Sequence, residues 1–88
     1  DIVIDSISVV VAEAGAEEQH HHRDHDRLFS EMPLESTLPP YAITIMVPLT
    51  TFDEDTGTTM LDPGTHHDGA HGEPVAGFVP KGGCYLMD

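Results

Sequence analysis

Three pairs of the form histidine, any residue, carboxylate stand in this chain: His22-Arg23-Asp24, His66-His67-Asp68 and His71-Gly72-Glu73. An imidazole and a carboxylate two residues apart on extended backbone project to the same side, so they can occupy adjacent positions on one metal ion. A second imidazole from elsewhere would complete the two-histidine, one-carboxylate facial set that holds Fe(II) and leaves three positions open. Context separates the three pairs. His22 and Asp24 close a run that reads as extended chain, whereas His66 follows Pro63-Gly64, where the chain turns, and His71 lies in a glycine-flanked loop. His22 and Asp24 are therefore the candidate ligands. On alternation His20 shares the face of His22, as a spare ligand or supporting group, and His21 points elsewhere.

A different chemistry uses the same residues. His20, His22, Asp24 and His25 together could capture zinc or nickel in a non-catalytic, cupin-like metal-binding module, although no cysteine joins them and the spacing is not that of a structural zinc site. A bare β-sandwich interaction module would need no metal at all. Asp53-Glu54-Asp55 does not open a calcium loop, because Thr58 stands where the loop requires Gly and Gly64 where it requires the closing Glu. No phosphate-binding loop and no nucleophile elbow is present.

The elements that must position these groups read as β-structure. Ile2–Val11 is β-branched and roughly alternating, with a phase slip near Asp5-Ser6 that suits a bulge; Ala14-Gly15-Ala16 breaks it, and Glu17–His22 continues as a second, polar strand. Arg23–Pro40 is an irregular eighteen-residue loop with Pro33, Pro39 and Pro40, room for a short helix near Asp26–Met32, and a length that marks functional loops. Tyr41–Leu49 is the clearest strand, with Ile43, Ile45 and Val47 on one face and Thr44 and Met46 on the other. Phe52–Gly57 is a turn, Thr58–Leu61 a strand ended by Pro63-Gly64, Gly69–Glu73 a polar loop, and Val75–Val79 and Cys84–Asp88 two more strands. The fold class is all-β, a sandwich or barrel. Cys84, in the last strand, is expected to be a small buried side chain.

Composition bounds the partners. Eighty-eight residues allow one small domain near the lower limit for a self-supporting core. A formal net charge of −13 with three basic residues argues against nucleic acid or an anionic membrane as partner. No run approaches the ~20 apolar residues that span a bilayer, and Ile2–Ala12 lacks the basic start of a signal peptide. The single cysteine fits a reducing compartment, so a cytoplasmic location is expected.

Three motifs in order resemble the phytanoyl-CoA dioxygenase family of Fe(II)/2-oxoglutarate-dependent oxygenases. Gln19-His20-His21-His22-Arg23-Asp24 is similar to that family's Gln-x-x-His-x-Asp stretch. Ala42–Leu49 followed by Thr56-Gly57-Thr58-Thr59-Met60-Leu61-Asp62-Pro63-Gly64-Thr65-His66 is similar to its strand, turn and Pro-Gly-Ser-His segment, with Thr65 in place of the usual Ser. Lys81-Gly82-Gly83-Cys84-Tyr85-Leu86-Met87-Asp88 is similar to its next Gly-led strand.

The resemblance implies a partial double-stranded β-helix, a jelly roll or cupin-like fold, with about the first six core strands in residues 1–88 as a single partial dioxygenase domain. It implies Fe(II) held by His22 and Asp24, with Gln19 and His20 as supporting residues, 2-oxoglutarate as co-substrate, and O2 and a small molecule or acyl group as substrates. The third ligand, a His, and the Arg that grips 2-oxoglutarate are expected beyond Asp88, so the piece alone is expected to be inactive. In this family His66 belongs to a structural turn. Asp24, absent from related halogenases, favours hydroxylation. The Arg23–Pro40 loop, with Arg27, Phe29 and Met32, is the candidate substrate-facing lid.

Overall fold

Extended backbone becomes a strand only when its N–H and C=O groups find a ladder partner, and here four short segments do so. In the computed structural model, which describes residues 1–34, 37–66 and 72–88, β1 is Thr44–Met46, β2 Met60–Leu61, β3 Val75–Ala76 and β4 Tyr85–Met87. β1 and β4 form one antiparallel pair, in the register Thr44 to Met87, Ile45 to Leu86 and Met46 to Tyr85. β2 and β3 form a second, with Met60 opposite Ala76 and Leu61 opposite Val75. An isolated bridge joins Phe52 to Val79, and another closes the 53–57 turn between Asp53 and Gly57. The chain is all-β, with no helix among the described residues.

All four strands lie within the runs read from the sequence, but two expected strands are not formed. Ile2–Val11 and Glu17–His22 have no strand partner, and every residue from 1 to 24 is exposed, Ile2 completely. β-branched alternation supplies the propensity for a strand, while the ladder must come from a partner, and among the described residues none is offered. The short helix expected near Asp26–Met32 is instead a succession of turns, one closed by Met32 N–H donating to the Phe29 carbonyl at 2.9 Å. Most of the Gly69–Glu73 loop lies outside the described residues, as do Asp68 of the His66–Asp68 pair and His71 of the His71–Glu73 pair.

Burial is shallow. Pro48 apart, no described residue is buried, and there is no apolar core. The accessible surface of 7686 Å² is half again the roughly 5,000 Å² of a folded monomer of this mass. The radius of gyration, 14.6 Å, likewise exceeds the roughly 12 Å of a compact domain of this length.

The faces of β1 and β4 follow strict alternation. Thr44, Met46, Tyr85 and Met87 share a half-buried face; Ile45 and Leu86, 59% and 63% exposed, share the open one. Cys84 falls in step with Leu86 and is exposed, contrary to the buried position expected for it. Its neighbours Gly83 and Tyr85 take the covered side.

Candidate metal centre

The segment 20–24 is not a paired strand, yet its side chains alternate as they would on one. His20 and His22 lie on one side, with ring centroids 5.6 Å apart. His22 Nε2 faces Asp24 Oδ1 at 3.7 Å. On the other side His21 Nδ1 meets Asp62 Oδ2 at 2.7 Å. Arg23 Nη2 donates to the carbonyls of Thr65 and His66 at 3.1 and 2.9 Å. His20 and His22 are thus ring neighbours, while His21 and Arg23 find their partners in the Asp62–His66 turn.

The protonation of His22 follows from its partner. Its Nδ1 lies 2.9 Å from the His20 carbonyl oxygen, which can only accept, so Nδ1 carries the proton and donates. In the neutral ring this leaves Nε2 as a bare lone pair, turned toward a carboxylate oxygen that is also an acceptor. With the ring neutral the two facing acceptors can together hold a cation; with the ring charged the same contact is an ion pair. Two atoms each about 2.1 Å from one first-row metal can stand up to about 4.2 Å apart, and a right-angle pair about 3.0 Å. The observed 3.7 Å lies inside that span, and a sub-ångström adjustment closes it. The residues present fit two positions of a metal site.

A larger set does not assemble. Among the described residues no three His, Cys, Asp or Glu side chains converge on a common point, so the arrangement of His20, His22, Asp24 and His25 around zinc or nickel is not formed. His25 turns away, placing Nε2 3.2 Å from Thr44 Oγ1 on the half-buried face of β1. Tyr41 Oη donates to the Asp26 carbonyl at 2.6 Å. These two bonds tie the chain just after Asp24 to the β1–β4 sheet. Gln19 is exposed, and the hydrogen bond that supports His22 comes from the His20 carbonyl. An open hollow at the start of the expected lid loop is lined by Arg23, His25, Asp26, Arg27 and Ser30, and neither His22 nor Asp24 lines it.

Asp62 and the Arg23 contacts were not legible as site features. Asp62-Pro63-Gly64-Thr65 puts Pro second and Gly third in a four-residue turn, and Gly64 takes φ +78°, as a type II turn requires. Thr65 Oγ1 donates to the Asp62 carbonyl at 2.7 Å, reinforcing the weak Thr65 N–H bond at 3.4 Å. Asp62 Oδ1 is buried without a hydrogen-bond partner, so Oδ2 carries the carboxylate's contact with His21. That hydrogen bond, and then the negative charge behind it, raises the His21 pKa above its ordinary value.

A β-rich chain with an imidazole nitrogen 3.7 Å from a carboxylate oxygen defines a class: a scaffold carrying a candidate metal-ligand pair. Residues 1–78 match the phytanoyl-CoA dioxygenase (PhyH) family. The chain belongs to that family, whose members are dioxygenases. No curated protein and no solved structure matches it.

Proposed function

We propose that this chain is the ligand-bearing part of an Fe(II)/2-oxoglutarate-dependent hydroxylase acting on a small molecule or acyl substrate. The observation that carries the reading is the facing of His22 Nε2 and Asp24 Oδ1 with the His22 Nδ1 proton held by the His20 carbonyl. Family membership supplies the reaction class. Iron, when bound, supplies the oxidative chemistry with O2 and 2-oxoglutarate.

The chain's own residues do the rest. His22 presents a lone pair in one fixed tautomer, and Asp24 adds a negative charge beside it. The His25–Thr44 and Tyr41–Asp26 bonds hold the exit of the segment against β1. The Arg23–Pro40 loop, with Arg27, Phe29 and Met32, is the substrate-facing lid in this reading. In this reading a further His and a cation for the 2-oxoglutarate carboxylate complete the site, and the fold is the double-stranded β-helix.

The test is iron-dependent formation of succinate from 2-oxoglutarate in a chain that includes the residues following Asp88. His22→Ala and Asp24→Ala should each abolish it, and His66→Ala should mainly lower stability. Turnover that survives His22→Ala but is lost in a folded His66→Ala protein would overturn the assignment.

A further inference from the structure

We propose that His21 and Arg23 are positioning residues for the metal pair, locking segment 20–24 to the Asp62–His66 turn and so setting the direction of His22 and Asp24. The proposal rests on the metal reading of that pair. A paired strand has its rotation fixed by its ladder, but this segment has no strand partner among the described residues. Its rotation must be fixed by side chains. Because successive side chains of extended backbone leave on opposite sides, holding residues 21 and 23 on one side sends 20, 22 and 24 to the other.

The clamp has two parts of different chemistry. His21 Nδ1 reaches Asp62 Oδ2 at 2.7 Å, across 41 residues of sequence. Arg23 spans the carbonyls of Thr65 and His66 with one nitrogen, at 3.1 and 2.9 Å. The chain has sixteen acidic residues and only three basic ones. A guanidinium aimed at two neutral carbonyls in such company is placed by geometry rather than by charge pairing. A lysine ammonium, a compact point charge on a flexible stem, would hold the same two carbonyls less rigidly.

Co(II) serves as the probe, titrated into the protein and followed by calorimetry. The variants are His21→Gln, Asp62→Asn, the His21→Gln/Asp62→Asn double, Arg23→Gln, Arg23→Lys and, as reference, His22→Ala. Backbone amide spectra of β1–β4 and β2–β3 report whether each variant keeps its sheets. Residues that orient metal ligands typically cost 10–100-fold in metal affinity when removed. Here His21→Gln and Arg23→Gln should each weaken Co(II) binding about tenfold with the sheet signals unchanged. Arg23→Lys should fall between Arg23→Gln and the unaltered protein, a graded rescue that general destabilisation does not give. The double should be no worse than His21→Gln alone, since the two residues share one contact.

If Arg23→Gln loses its sheet signals, Arg23→Lys and His21→Gln decide. Co(II) binding that depends on His22 but stays within twofold in both overturns the proposal and leaves the metal reading standing. Co(II) binding indifferent to His22→Ala overturns the metal reading, and the proposal with it.

Discussion

Replacing Gly64 by Ala isolates one physical cost in the turn that receives His21 and Arg23. Gly64 sits at φ +78°, and a Cβ added there meets nothing within 4 Å. Crowding therefore contributes nothing, and the cost is the backbone's own: roughly 1–2 kcal/mol for an L-residue in the left-handed region. Such a cost lowers the ratio of formed to unformed turn roughly 5- to 30-fold. Asn tolerates this region better than Ala, so Gly64→Asn should lie between the two. Loss of the turn displaces the Thr65 and His66 carbonyls from Arg23, so the effect is read where they meet. Nuclear Overhauser contacts between the Arg23 side chain and Thr65 should weaken in the order Gly, Asn, Ala. An Ala variant with contacts of undiminished intensity, or an Asn variant weaker than Ala, would refute the reasoning.

Three further outcomes follow from other parts of the chain. Asp53 is held below its ordinary pKa of 3.8, chiefly by the Thr56 backbone N–H, then by the Thr56 hydroxyl and the Asp55 N–H. A depressed folded value means the turn's stabilisation is present above 3.8 and lost as pH falls through the lowered value; the Thr56 amide shift should titrate there and become flat in Asp53→Asn. At Gly83, a Cβ would stand 2.8 Å from Val79 Cγ1 and 3.2 Å from the Pro80 carbonyl. Gly83→Ala should therefore displace Val79 and abolish the Phe52–Val79 bridge contacts, with unchanged contacts counting against it. The exposed β-branched run Ile2–Val11 has the propensity to pair with a second copy of itself, so the 88-residue chain should sediment above single-chain mass as concentration rises. Val9→Lys should reduce this association.

Local chemistry was legible in the sequence, and distant pairing was not. The runs 41–49, 58–61, 75–79 and 84–88 each contain one of the four strands, because alternation and the flanking glycines and prolines are local signals. Ile2–Val11 carries an equally strong local signal and is not a strand, because a ladder is a property of two segments and sequence periodicity describes one. The half-buried face of β1 turned out to be Thr44 and Met46 rather than the isoleucines; alternation separates the faces without saying which is covered. At the site, parity alone put His20 and His22 on one side and His21 on the other. What parity lacks is a partner's address. Asp62, 41 residues downstream, stands in the sequence only as part of the Pro63-Gly64 segment, and Arg23 only as the residue between His22 and Asp24 that opens the Arg23–Pro40 loop.

The central claim is that His22 and Asp24 are the metal pair, and selective broadening by Mn(II) tests it most directly. Trace Mn(II) added to the labelled protein broadens resonances of the nuclei nearest the bound ion, whether or not turnover occurs. The expected result is loss of the His22 ring and Asp24 side-chain signals at the lowest Mn(II), with His20 next and His66 and the Asp53–Asp55 turn later. Broadening that begins at His66 or at Asp53–Asp55 while His22 and Asp24 stay sharp would contradict the account.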